Sequence, residues 1–148
     1  MLSEKAARDL WDPNPVEALH VHGMMMQNFP GEALDWVLRT RWIGPMAVPW
    51  ERIDRDDQEK WAASHQPGKV ASFRKMIANG EGVHPCVLVQ PPDSDRAVIV
   101  DGHHRAMAWA QCGKPVRGYV GFVRRGDVQA ALETHSSQMH SGSSPSNR

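Results

Sequence analysis

Asp101-Gly102-His103-His104-Arg105 gathers, in five consecutive residues, an acid, two imidazoles, a guanidinium and a glycine. A strand-like run, Ala97-Val98-Ile99-Val100, leads into the string, and a helix-like run, Ala106-Met107-Ala108-Trp109-Ala110, leads out. A glycine at a strand-to-helix turn lets backbone N–H groups point outward, where the positive end of the helix dipole favours an anion. An arginine in the first helical turn adds a planar fork of donors matched to phosphate oxygens. Asp101 offers either an N-cap for the helix or a ligand for Mg²⁺. His103 and His104 offer proton carriers, and on a helix start they diverge by about 100°, so one faces a pocket while the other is packed or solvated. Phosphate binding, with phosphoryl or phosphodiester chemistry beside it, is the expectation these residues raise.

The elements that must hold the string follow from pattern. Pro67 near a start, apolar Val70, Phe73 and Ile77 on one face, and Gly80 past the end predict a helix. Cys86–Gln90 and Ala97–Val100, separated by Pro91-Pro92-Asp93-Ser94-Asp95, predict an antiparallel hairpin. A helix over 103–111 stops at Gly113 and Pro115, and Val116–Val123 reads as the last strand. With a strand from Met46 to Ile53, the order β-α-β-β-α-β predicts an α+β domain over 45–124, a small mixed sheet with packed helices. A short helix is expected from Asp57 to Ser64.

Before this domain, residues 1–44 read as a helical, tryptophan-rich appendage. Asn14 and Pro15 serve as N-cap and first position of a helix to about Gln27. Trp36–Trp42 fits a strand, although 32–38 also fits a helix. His20 and His22 would diverge by about 200° on a helix, too far to chelate together. Met24-Met25-Met26 and the tryptophans fit core or interface packing, with an aromatic platform for a base as the sharper reading. After residue 125 a short helix, Asp127–Glu133, is expected. Six serines among the thirteen residues beyond His135 then predict a disordered tail.

The 148 residues carry 17 basic and 17 acidic side chains, and this zero net charge removes whole-chain electrostatics as an argument for nucleic-acid binding. The balance is local: Arg96 to Arg125 holds six Lys/Arg against one carboxylate, whereas Glu51 to Lys60 holds five carboxylates and three basic residues. Cys86 and Cys112 lie far apart outside any C-x-x-C, so free thiols are expected. No apolar run reaches a membrane span, and the N-terminus lacks a signal-peptide core, so no membrane partner and a cytoplasmic location are expected.

Val48-Pro49-Trp50-Glu51-Arg52-Ile53, Pro67-Gly68-Lys69-Val70, Pro85-Cys86-Val87-Leu88-Val89 and Val100-Asp101-Gly102-His103-His104-Arg105-Ala106 occur in this order. Together they resemble the ParB/sulfiredoxin superfamily over about residues 46–123, in particular its phage-type ParB-like nuclease domains. The resemblance implies that Gly102, His104 and Arg105 meet the phosphates of ATP or another nucleotide, with Lys69 and Ser72 facing that nucleotide. It implies Mg²⁺ on Asp101, with His103 or a carboxylate after the first strand (Asp54, Asp56 or Asp57) moving the proton. His103 stands where sulfiredoxins carry their catalytic cysteine, so sulfinic-acid repair lacks its nucleophile. The Asp-Gly-His string is closer to the free-serine kinases. No helix-turn-helix domain follows, so a centromere-binding partition protein is not expected. Nucleotide, DNA and phage head proteins are the implied partners. A non-enzymatic virion or assembly protein retaining the fold is the competing class.

Overall fold

Strand Cys86–Gln90 is apolar at four successive positions and buried at all five, the pattern of a strand covered on both faces. The computed structural model of the chain, which describes residues 15–54 and 67–142, has helices on both sides of that strand. The elements in chain order are β1 (Pro15–Val16), α1 (Ala18–Asn28), α2 (Asp35–Arg39), β2 (Arg41–Val48), α3 (Pro67–Ala78), β3 (Cys86–Gln90), β4 (Val98–Asp101), α4 (His103–Gln111), β5 (Val116–Phe122) and α5 (Val128–Gly142). Single 3-10 turns lie at Trp50–Arg52 and Arg125–Asp127. Among the described residues the order from β2 to β5 is β-α-β-β-α-β, and the fold is mixed α+β.

The five strands form one sheet in the order β1-β2-β5-β3-β4. β3 and β5 are parallel, and the other pairs are antiparallel. Alternation along the strands sorts the core into two layers. Cys86, Leu88, Ile99, Val116 and Val120 meet Val70 and Ile77 of α3 and Ala106 and Trp109 of α4. Val87, Val89, Val100 and Tyr119 meet Val21 and Met25 of α1, Trp36 of α2 and Ala131 of α5. Gly121 of β5 keeps this second layer open for Trp42, because a Cβ there would stand 2.6 Å from the indole ring.

Several expectations are corrected. Residue 44 falls inside β2, and β1 pairs with β2, so the described part of the 1–44 segment is built into the sheet and one of its cores. Trp36–Trp42 is not one strand: the helix alternative over 32–38 holds in part, as α2 over Asp35–Arg39, and β2 begins at Arg41. The Thr40 hydroxyl donates to Trp36 O and the Trp42 indole to Val37 O, which fixes the change of direction. Pro15 lies in β1, and the N-cap position of α1 falls on Glu17; Asn14 lies outside the described residues. The strand expected over Met46–Ile53 ends at Val48, and Ile53 makes a single bridge to Ala97. The helix expected over 57–64 also lies outside the described residues. The tail expected beyond His135 begins as helix, because α5 runs on to Gly142 with Thr134 and His135 buried.

Candidate functional site

The turn between β4 and α4 is made by Gly102 at φ +97°, a left-handed conformation that glycine adopts without a Cβ penalty. The first helical bond, Ala106 N–H to Gly102 O, begins α4 there. The N-cap position is therefore Gly102, one residue after the Asp101 that the sequence offers for it. A Cβ at this glycine would stand 2.8 Å from Arg105 Nη2 and 2.9 Å from Cys86 Sγ, so the turn is covered closely on two sides.

Arg105 does the covering. Its Nη1 donates to His84 O and Pro85 O at 3.1 Å each, tying the first turn of α4 to the chain entering β3. Its Nη2 lies 3.6 Å from Asp101 Oδ1. Asp101, the last residue of β4, is buried and accepts a 2.9 Å hydrogen bond from Asn28 Nδ2 at the end of α1. Cys86 Sγ donates to Gly102 O at 3.3 Å. Burial pushes the Cys86 thiol up to about 12, against the pull of the Arg105 charge, so it is a packed donor rather than a nucleophile.

The two histidines diverge as the helix requires. His103 is buried and turned toward α5, where its ring meets His135 with centroids 5.0 Å apart. Burial first, then His135 and His104, hold the His103 imidazole well below its usual range, so it is neutral at pH 7. His104 is half-buried. In α3, which packs on α4, Lys69 is half-buried and Ser72 exposed. Arg74 Nη1 donates to Gln111 Oε1 at 2.7 Å, and Cys112 Sγ lies 3.7 Å from Arg74 O, joining the middle of α3 to the C-terminal end of α4.

Asp54 belongs elsewhere. Its N–H donates to Ala97 O, at the opposite end of β4 from Asp101. Four residue steps take the chain from Ala97 to Asp101, about 13 Å at the usual strand rise. Asp56 and Asp57 lie outside the described residues. Among the described residues no group of three His, Cys, Asp or Glu side chains is placed to hold a metal ion. Asp101 meets Asn28 and Arg105.

The structure adds two residues to the corner that pattern reading did not assign to it. Asn28 is remote in sequence and carries no local signal. Cys86 was readable as a buried thiol, but its bond to Gly102 O depends on the β3–β4 register. His20 lies on α1 and meets the Tyr119 hydroxyl at 3.1 Å, and Trp36 and Trp42 are core residues. Among the described residues no helix is long and apolar enough to cross a membrane. No protein-family model, no curated protein and no solved structure matches the chain.

Proposed function

We propose that the chain is a phosphate-binding domain of ParB/sulfiredoxin type, and that the Gly102–Arg105 corner receives the phosphate of a nucleotide. The observation that carries this reading is the left-handed Gly102 turn at the start of α4 with the Arg105 guanidinium laid over it. A helix start, a glycine and an arginine fork at one turn are the elements of an anion site. His104, half-exposed in the same turn, supplies a further donor, and Lys69 of α3 is the candidate for the more distal phosphates. An arriving phosphate exchanges with the His84 and Pro85 carbonyls for the Arg105 donors, so binding draws the arginine off its present partners.

Binding is better supported than turnover. His103 is packed against His135, and Asp101 is engaged by Asn28 and Arg105, so both work inside the fold. A second reading, phosphodiester or nucleotide hydrolysis or phosphoryl transfer, draws support from the carboxylate that stands beside the guanidinium at this turn. The test is thermal denaturation with ATP, ADP and CTP, each with and without Mg²⁺. A ligand at one hundred times its Kd adds about 2.7 kcal/mol, enough to move the midpoint by several degrees. The reading expects such a shift for at least one nucleotide and its loss in His104→Ala. No shift with any of them at millimolar concentration overturns it. Mg²⁺-dependent phosphate release in the same samples would favour the catalytic reading, and stable capture of a head protein without a nucleotide shift would favour the assembly class.

A further inference from the structure

Asn28, the last residue of α1, meets Asp101, the last residue of β4, at 2.9 Å. Packing fixes both ends of that bond. Met25 and Phe29 are buried in the second core layer, so the backbone that carries Asn28 is anchored on either side of it. Asp101 pairs with Val87, which belongs to the same layer, so the carboxylate leaves the strand on the face that α1 covers. The carbonyl of the following Gly102 is held by Cys86 Sγ.

The two oxygens of that carboxylate do different work. Oδ2 accepts the Asn28 amide N–H, and Oδ1 lies 3.6 Å from Arg105 Nη2. A carboxylate and a guanidinium left to themselves close to about 2.7–2.9 Å. The side chains of Arg105 and Asp101 are 13% and 4% exposed, so water weakens their attraction little. The pair nevertheless stands open. Asn28 holds the carboxylate by its other oxygen, and the His84 and Pro85 carbonyls hold the guanidinium by its other terminal nitrogen. Closing the pair would neutralise Arg105 and engage Nη2, the donor that lies nearest the Gly102 turn.

We infer that Asn28 is a positioning residue for the Gly102 corner: by holding Asp101 back, it keeps the Arg105 guanidinium receptive to phosphate. This role rests on the phosphate reading of the corner and adds the element that regulates it. The end of α1 sets the affinity, because any displacement that breaks the Asn28–Asp101 bond lets the acid close on the arginine and compete with the phosphate. Asn28 lies outside residues 46–123, so the regulation comes from the N-terminal segment rather than from the strand-to-helix turn itself.

The experiment is titration calorimetry of the whole chain with ATP, ADP and CTP in EDTA, so that no metal ion enters the comparison. For the nucleotide that the parent binds most tightly, Asn28→Ala should weaken affinity about tenfold, a loss of about 1.4 kcal/mol. Asp101→Asn, which removes the competing charge and keeps the shape, should bind the same nucleotide more tightly than the parent. Added to Asp101→Asn, Asn28→Ala should cost less than about twofold, and that rescue separates a held charge from a merely structural role. Unchanged affinity in Asn28→Ala, or an equal loss with and without Asp101→Asn, overturns the assignment. Asp101→Asn binding no more tightly than the parent overturns it as well, whether or not Asn28→Ala folds. A parent that binds none of the three nucleotides brings down the phosphate reading itself. A parent that binds one, with Asn28→Ala unaffected, brings down the role of Asn28 alone.

Discussion

His103, the first residue of α4, lies against His135 of α5 with ring centroids 5.0 Å apart, and both are buried. A residue of the sequence motif is thereby locked to α5 just before the serine-rich stretch. Folding places two imidazoles where neither gains from a charge on the other.

The pH dependence follows from that contact. Burial, then His135 and His104, depress the folded value of His103 below its usual 6.5. The unfolded chain thus binds the proton more readily, and its contribution to stability is complete above about pH 6.5. It is lost as the pH falls from there toward the depressed folded value, at no more than about 1.4 kcal/mol per pH unit. Urea unfolding at about pH 7.5 and about pH 5 measures the loss. His103→Phe, which keeps a ring in the packing, should flatten the difference, and an equal loss in the variant would place its source elsewhere.

Gly102→Ala should destabilise the protein by about 2–5 kcal/mol. A left-handed non-glycine residue costs roughly 1–2 kcal/mol, and overpacking typically adds 1–3 kcal/mol. The overpacking has two sources, Arg105 Nη2 at 2.8 Å and Cys86 Sγ at 2.9 Å from the new Cβ. The arginine tip can swing away, but the buried thiol cannot. Displacing Arg105 also breaks its bonds to His84 O and Pro85 O, so nucleotide-induced stabilisation should change along with the denaturation midpoint.

The hairpin and the motif helix were legible because their signals are local. Cys86–Gln90 is apolar through its first four residues, the turn carries two prolines, and Gly102 and Gly113 bracket α4. β1 was not legible, since two residues become a strand only by pairing with Trp42 and Ile43. The same holds at the corner. Glycine, acid and arginine were visible in order, but Arg105 spends its Nη1 on carbonyls about twenty residues back, and Asp101 meets Asn28, which is 73 positions away. Serine content misjudged the region after His135, because burial of Thr134 and His135 extends α5 where local propensity does not.

Thr134 tests how firmly α5 is anchored. Its hydroxyl accepts the Trp36 indole N–H at 3.1 Å and donates to Ala130 O at 3.1 Å. Thr134→Val keeps the shape and leaves the buried indole N–H without its acceptor, a cost of roughly 1–3 kcal/mol. The denaturation midpoint should fall accordingly, and the Trp36 indole proton should exchange faster with deuterated solvent. A variant as stable as the parent would mean that apolar packing alone holds α5.

The two thiols should separate cleanly under a disulfide reagent. Cys86 is fully buried, bonded to Gly102 O, and pushed up to about 12, so almost no thiolate forms at pH 8. Cys112 is half-buried beyond the end of α4 and open to attack. Folded protein should therefore release about one equivalent of thiol signal, assigned to Cys112 by its loss in Cys112→Ser, and a second on denaturation. Rapid reaction of Cys86 in the folded Cys112→Ser variant would show that the corner opens on the timescale of the assay.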